Sequence, residues 1–131
     1  HISPLEQDQS GVIKGWLDGK GEVQEKIYDV VWSGDRKLGP DGKLPPIGST
    51  VDVENATWTN TIGAPELIAV WKDPDFDPAQ RAFYYGRVIE IPTPRWTAYD
   101  ARRFNVKMSK EVPMTTQERA YTSPIWYTPA S

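Results

Sequence analysis

At 131 residues with a formal net charge of −3, the chain is long enough for one domain with its own core. It has no cysteine, which excludes a disulfide framework and a thiolate metal site, and its one histidine is His1, so zinc and serine-hydrolase chemistry lack an interior ligand or base. Acid and base are interspersed and no apolar run approaches the ~18 residues of a membrane span, so neither nucleic acid nor a membrane is an expected partner.

In chain order, His1-Ile2-Ser3-Pro4 lacks an initiator Met, and the chain reads as a processed or excised piece with His1 a terminal remnant. Val12 to Asp18 and Glu22 to Ser33 form the arms of a β-hairpin. The turn is Asp18-Gly19-Lys20-Gly21, whose glycines supply the positive φ that short hairpin turns need. Gly34 to Ser49 is rich in glycine and proline and reads as a long loop. Thr50 to Thr57 alternates, with Val51 and Val53 inward, and reads as a strand; Asn55-Ala56-Thr57 matches a glycosylation acceptor, a short and common pattern. Glu66 to Trp71 reads as a short strand.

The strongest strand signal is Phe83 to Ile91, aromatic and β-branched, bounded by Pro78, Pro92 and Pro94. Parity puts Phe83, Tyr85, Ile89 and Ile91 on one face and Tyr84, Gly86, Val88 and Glu90 on the other. Thr97 and Asp100 resemble a capping box, giving a short helix from about Ala98 to Phe104. Glu118 to Ala120 and Ser123 to Thr128 read as a last strand broken near Pro124. Short strands, long turns and one helix predict a mainly β, antiparallel fold, a sandwich with a partly open barrel as the alternative.

Few constellations could carry chemistry. Asp73, Asp75 and Asp77 alternate as carboxylates do at the start of many calcium loops. Pro74 and Pro78 stiffen the stretch, and neither the glycine at the sixth position nor the glutamate at the twelfth is present. These three are weak metal candidates, and the plainer reading is a turn whose side chains bond their own backbone. No spacing selects a carboxylate pair for glycoside hydrolysis. Six tryptophans could offer stacking faces for sugars or fill a core. Arg95-Trp96 and Arg102-Arg103 form the only local basic cluster, a source of cation–π or ion-pair contacts or a solvated helix face.

GSTVDVENATWTNTIGAPEL, VWKDPDFDPAQRAFYYGRVIEIPTPRWTAYDA and QERAYTSPIWYTP resemble the C-terminal part of the bacterial DUF3604 proteins, and GVIKGWLDGKGEVQEKIYDVVWSGDRK is similar to the same family. The resemblance covers the chain from Gly11 onward. It implies relatives among the PHP-superfamily metal-dependent hydrolases, with a distorted barrel and a divalent metal elsewhere in the parent protein. None of that barrel's ligand motifs occurs here, so no metal ligand carries over and no cofactor is expected in this chain. The resemblance also implies an immunoglobulin-like sandwich, the barrel of the same protein as partner, and export to the periplasm or beyond.

The expectation is therefore a non-catalytic β-sandwich domain spanning 1–131, packing on a PHP-like barrel. Arg95, Trp96, Tyr99 and Arg102 are its candidates for reaching the barrel's rim and orienting an anionic or sugar-like substrate. The competing expectations are an autonomous carbohydrate-binding module using exposed Trp and Tyr, and an enzyme in its own right.

Overall fold

The computed structural model describes residues 6–131, so the reading of His1 falls outside the described residues. Its main sheet is antiparallel and built on two long strands, β1 (Gln7–Leu17) and β2 (Val23–Trp32). They are joined by the expected hairpin turn. There the Asp18 carboxylate accepts the amides of Lys20 at 2.8 Å and Glu22 at 2.9 Å, and Gly21 takes a φ of 79°. The register shifts between Ser10 and Gly11, and at Gly11 a Cβ would lie 2.6 Å from the Tyr28 carbonyl oxygen. Glycine is what allows the two backbones to approach there.

β3 (Ala82–Glu90) pairs with the other edge of β1, from Trp16 opposite Ala82 to Gln7 opposite Glu90. The far edge of β3 is covered twice. β6 (Arg119–Tyr121) pairs with Arg87 to Ile89, and β7 (Ile125–Tyr127) with Ala82 to Tyr84. Between them Thr122 bonds Gly86, its hydroxyl accepting the Gly86 amide at 2.8 Å, and Pro124, unable to donate to a ladder, separates the two short strands. A two-residue ladder joins β4 (Thr93–Pro94) to β5 (Thr115–Thr116), flanking α1 (Trp96–Phe104), the one helix among the described residues.

The chain is thus mainly β, antiparallel, with long loops and one short helix, as expected, and its ladders are compatible with an immunoglobulin-like sandwich.

Two expected strands are absent. At 50–57 the Asp52 carboxylate takes the Asn55 amide and side chain, and Ala56 turns to a φ of 51°, so the segment closes on itself with one bridge from Asp52 to Thr57. Local side-chain bonding has outcompeted the ladder that the alternating valines suggested. Residues 66–71 form no ladder, leaving Ile68 and Val70 exposed while the Trp71 ring docks on Tyr28 and Tyr84.

The helix begins two residues before the expected start. Arg95 is its N-cap without a side-chain bond, and the Thr97 hydroxyl donates at 2.5 Å to the Pro113 carbonyl instead of capping. At the other end Asn105 is left-handed (φ 51°) and Val106 donates to the Ala101 carbonyl, closing the helix as a C-terminal αL residue does.

The register gives the main sheet two unlike faces. One carries Lys14, Lys26, Tyr28 and Tyr84; the other carries Ile13, Gly15, Ile27, Phe83 and Tyr85. On the second face the Phe83 ring lies directly on Gly15, where a Cβ would come within 2.2 Å of Phe83 Cζ. Phe83 also stacks on Tyr85 at an interplanar angle of 8° and leans on Trp126. Gly15→Val should therefore lift the ring and cost about 1–3 kcal/mol, as overpacking does. Urea unfolding followed by fluorescence measures this, and an unchanged midpoint would refute the close packing.

Candidate functional site

Lys14 stands in the middle of β1 with strands on both sides, and only 2% of its surface is exposed. A buried ammonium is costly unless paired and fully hydrogen-bonded. The acidic turn after Trp71 meets that need. Lys14 Nζ donates to Asp73 Oδ2 at 2.6 Å and to the Asp75 carbonyl at 2.7 Å. The Tyr84 hydroxyl donates to the same Asp73 Oδ2 at 2.7 Å, and the Asp75 amide donates to Asp73 Oδ1 at 2.8 Å. Two residues along, Asp75 Oδ2 accepts Lys26 Nζ and the Tyr28 hydroxyl, both at 2.6 Å.

Rings border the cluster, whose Lys14–Asp73 end is buried and whose Lys26–Asp75 end is half exposed. Lys14 Nζ lies 5.4 Å from the Trp16 ring centroid and 5.8 Å from that of Tyr84; Lys26 Nζ lies 4.8 Å from that of Tyr28. Burial pushes the Asp73 carboxyl up, but the bonds from Lys14, Tyr84 and the Asp75 amide outweigh it and hold the group below its ordinary value. Lys26 and then Tyr28 hold Asp75 down in the same way. Burial, and after it the neighbouring aspartates, push the hydroxyls of Tyr28 and Tyr84 up, so both remain donors.

Asp73 and Asp75 therefore meet on one sheet face, with lysine and tyrosine as their partners, while Asp77 accepts the Ala79 amide at 2.9 Å and closes a turn. The turn reading of this stretch describes its backbone bonds. Among the described residues no group of three or more His, Cys, Asp or Glu is placed to hold a metal ion. The lysine partners were not anticipated. The available signal was Lys14 itself, a charge in the centre of the apolar run Val12 to Leu17, for which an interior counter-charge is the usual reason.

A family model described as a protein of unknown function (DUF3604) matches residues 3–129. The chain belongs to the DUF3604 family. No curated protein and no solved structure matches it.

In this DUF3604 chain the other candidates, Arg95, Trp96, Tyr99 and Arg102, lie on α1 or cap it. Tyr99 is four residues from Arg95 and three from each of Trp96 and Arg102, within a turn of all three. Trp96 is 63% and Tyr99 45% exposed, and Arg102 donates to the Asn55 carbonyl at 2.5 Å, fastening the 50–57 turn to the helix. The structure does not bring these four to the Lys14 cluster by any hydrogen bond, ion pair or ring contact.

The DUF3604 chain also leaves a wide apolar surface. Among the described residues six apolar side chains are buried, and only Ile91 of the large ones completely, against fourteen large apolar side chains that are exposed. Leu17, Val23, Ile27, Tyr121 and Trp126 of that group lie on the Phe83–Tyr85 side of the main sheet. A cleft of about 300 Å³ opens there between Leu17, Val23, Phe83 and Trp126. Among the described residues no helix is long and apolar enough to cross a membrane.

Proposed function

We propose that this DUF3604 chain is a non-catalytic β-rich region that packs on the remainder of its parent protein, a PHP-like metallohydrolase barrel with a divalent metal, and shapes the barrel's rim. The single observation that carries the proposal is the imbalance, among the described residues, between six buried and fourteen exposed apolar residues, five of the fourteen (Leu17, Val23, Ile27, Tyr121 and Trp126) sharing one face of the main sheet. A domain that stood alone would not leave so much of a sheet face uncovered, because burying it is the main favourable term in folding and association. Phe83, Tyr85 and Trp126 are aromatic anchors of the kind that dominate interface energies. In this proposal Arg95, Trp96, Tyr99 and Arg102 form the rim group and orient an anionic or sugar-like substrate.

The test is binding in trans. The parent protein's remaining part, immobilised, should capture this chain, and Trp126→Ala should weaken capture at least ~30-fold, the equivalent of the ~2 kcal/mol of a hot-spot residue. Equal capture of parent chain and variant overturns the docking face. The exposed Tyr121 and Trp126 rings on this face are the observation behind a second reading, an autonomous carbohydrate-binding module. Saturable binding of soluble glycans by the chain alone, lost in Trp126→Ala, would replace docking by that reading.

A further inference from the structure

The Lys14–Asp73 pair holds more than an ion pair needs. The two groups come from segments 59 residues apart, their side chains are 3% and 7% exposed, and Nζ lies 2.6 Å from Oδ2. The two carboxylate oxygens have different partners. Oδ1 faces a backbone amide at 2.8 Å, and Oδ2 faces the Tyr84 hydroxyl at 2.7 Å. A lysine and an aspartate sealed together among rings, with one oxygen held by an amide and the other by a proton donor, match the requirements of an acyl condensation.

We infer that Lys14 and Asp73 are joined autocatalytically by an isopeptide bond. The ammonium passes one proton to Asp73 Oδ2 across the existing hydrogen bond, which leaves a neutral amine and a neutral acid. The Nζ lone pair attacks Cγ, and the negative charge gathers on Oδ1, where the Asp75 amide already points. Tyr84 gives its proton to the Oδ2 hydroxyl, which leaves as water. Tyr84 then recovers a proton from the nitrogen, so that an amide and one water replace an ammonium and a carboxylate. No oxidant, metal or further reactant enters the balance.

The reaction runs once per molecule, so it can proceed from the small fraction of pairs that are neutral at any moment. The fold gives it a purpose. The chain has no cysteine, residues 66–71 form no ladder, and the acidic turn is tied to the sheet by this cluster, by the Tyr127 bond to the Pro78 carbonyl and by ring contacts of Trp71 and Phe76. The bond would lock that strap to the central strand.

Intact mass spectrometry of the purified chain tests this. The expected result is a species lighter than the sequence mass by one water, and a branched tryptic peptide containing Lys14 and Asp73. Lys14→Arg and Asp73→Ala should both show the full sequence mass, and Tyr84→Phe should form the bond at least tenfold more slowly. The full mass in the parent chain after long incubation at neutral and mildly alkaline pH overturns the inference. So does a water loss that maps to Asp18-Gly19 or Asp41-Gly42, where a cyclic imide would form and would reopen in mild base.

Discussion

Asp73→Ala is expected to destabilise the chain by about 3–5 kcal/mol, the cost of stranding one charge of a buried pair. Lys14 would keep only the Asp75 carbonyl among its present oxygen partners, inside a site that water does not reach. Replacing both partners by apolar residues of similar volume, Lys14→Met with Asp73→Leu, should recover most of the loss, since no charge is then left buried. Urea unfolding of the three chains gives the comparison; equal losses for the single and double variants would show that the pair is solvated and its burial unimportant.

Acid gives an independent check on the same group. The folded Asp73 carboxyl is held below its ordinary value of 3.8. Its contribution is therefore complete above that value and disappears as the pH falls below it through the folded value. The parent chain should lose stability in this acid window, and Asp73→Ala should lose less. Intact mass, measured first, tells whether the ionic or the amide-linked form is being unfolded.

How much of this was legible follows from where each signal resides. The hairpin at Asp18 to Gly21 and the strand at 83–91 were readable because their cause is local: a turn that needs positive φ, and a run of β-branched and aromatic residues between prolines. Thr50 to Thr57 misled because alternation reports which residues could line a face, and says nothing of whether a partner strand exists. Val51 and Val53 are in fact less exposed than Asp52 and Glu54, yet the backbone bonds go to a turn. Thr97 misled in the same way, since its hydroxyl met a tertiary acceptor, Pro113, that spacing along the chain could not disclose.

The Lys14 cluster was half legible. The alternating aspartates were visible, but calcium and lysine are both cations that such oxygens can face. Only the sheet register, which sets Lys14 beside Lys26 and Tyr84, decides between them.

The second buried pair carries the other large expectation. Arg36→Ala should cost about 3–5 kcal/mol, because Asp8 is 5% exposed and would lose its counter-charge. Arg36 Nη2 donates to Asp8 Oδ1 at 2.6 Å and to the Asp8 carbonyl at 2.9 Å, while Nη1 reaches the Pro45 carbonyl at 2.9 Å and Nε the Ser33 carbonyl at 3.2 Å. One guanidinium thus ties both ends of the long 34–49 loop to the first strand, and the Arg36 carbonyl accepts the Trp32 indole at 2.7 Å. What remains for the Asp8 carboxylate in the variant is the Gln117 side chain at 3.1 Å. Nearby Glu90, already raised by burial and then by Glu118, has a buried oxygen without a hydrogen-bond partner, so the neighbourhood is rich in carboxylate and short of donors. Arg36→Lys should rescue little, since an ammonium cannot span four acceptors held in the geometry of a planar fork. Thermal unfolding gives the stability loss, and limited proteolysis should show new cleavage after Lys37 or Lys43 in both variants. A lysine variant as stable and as protease-resistant as the parent would mean that charge alone, and not the fork, holds the loop.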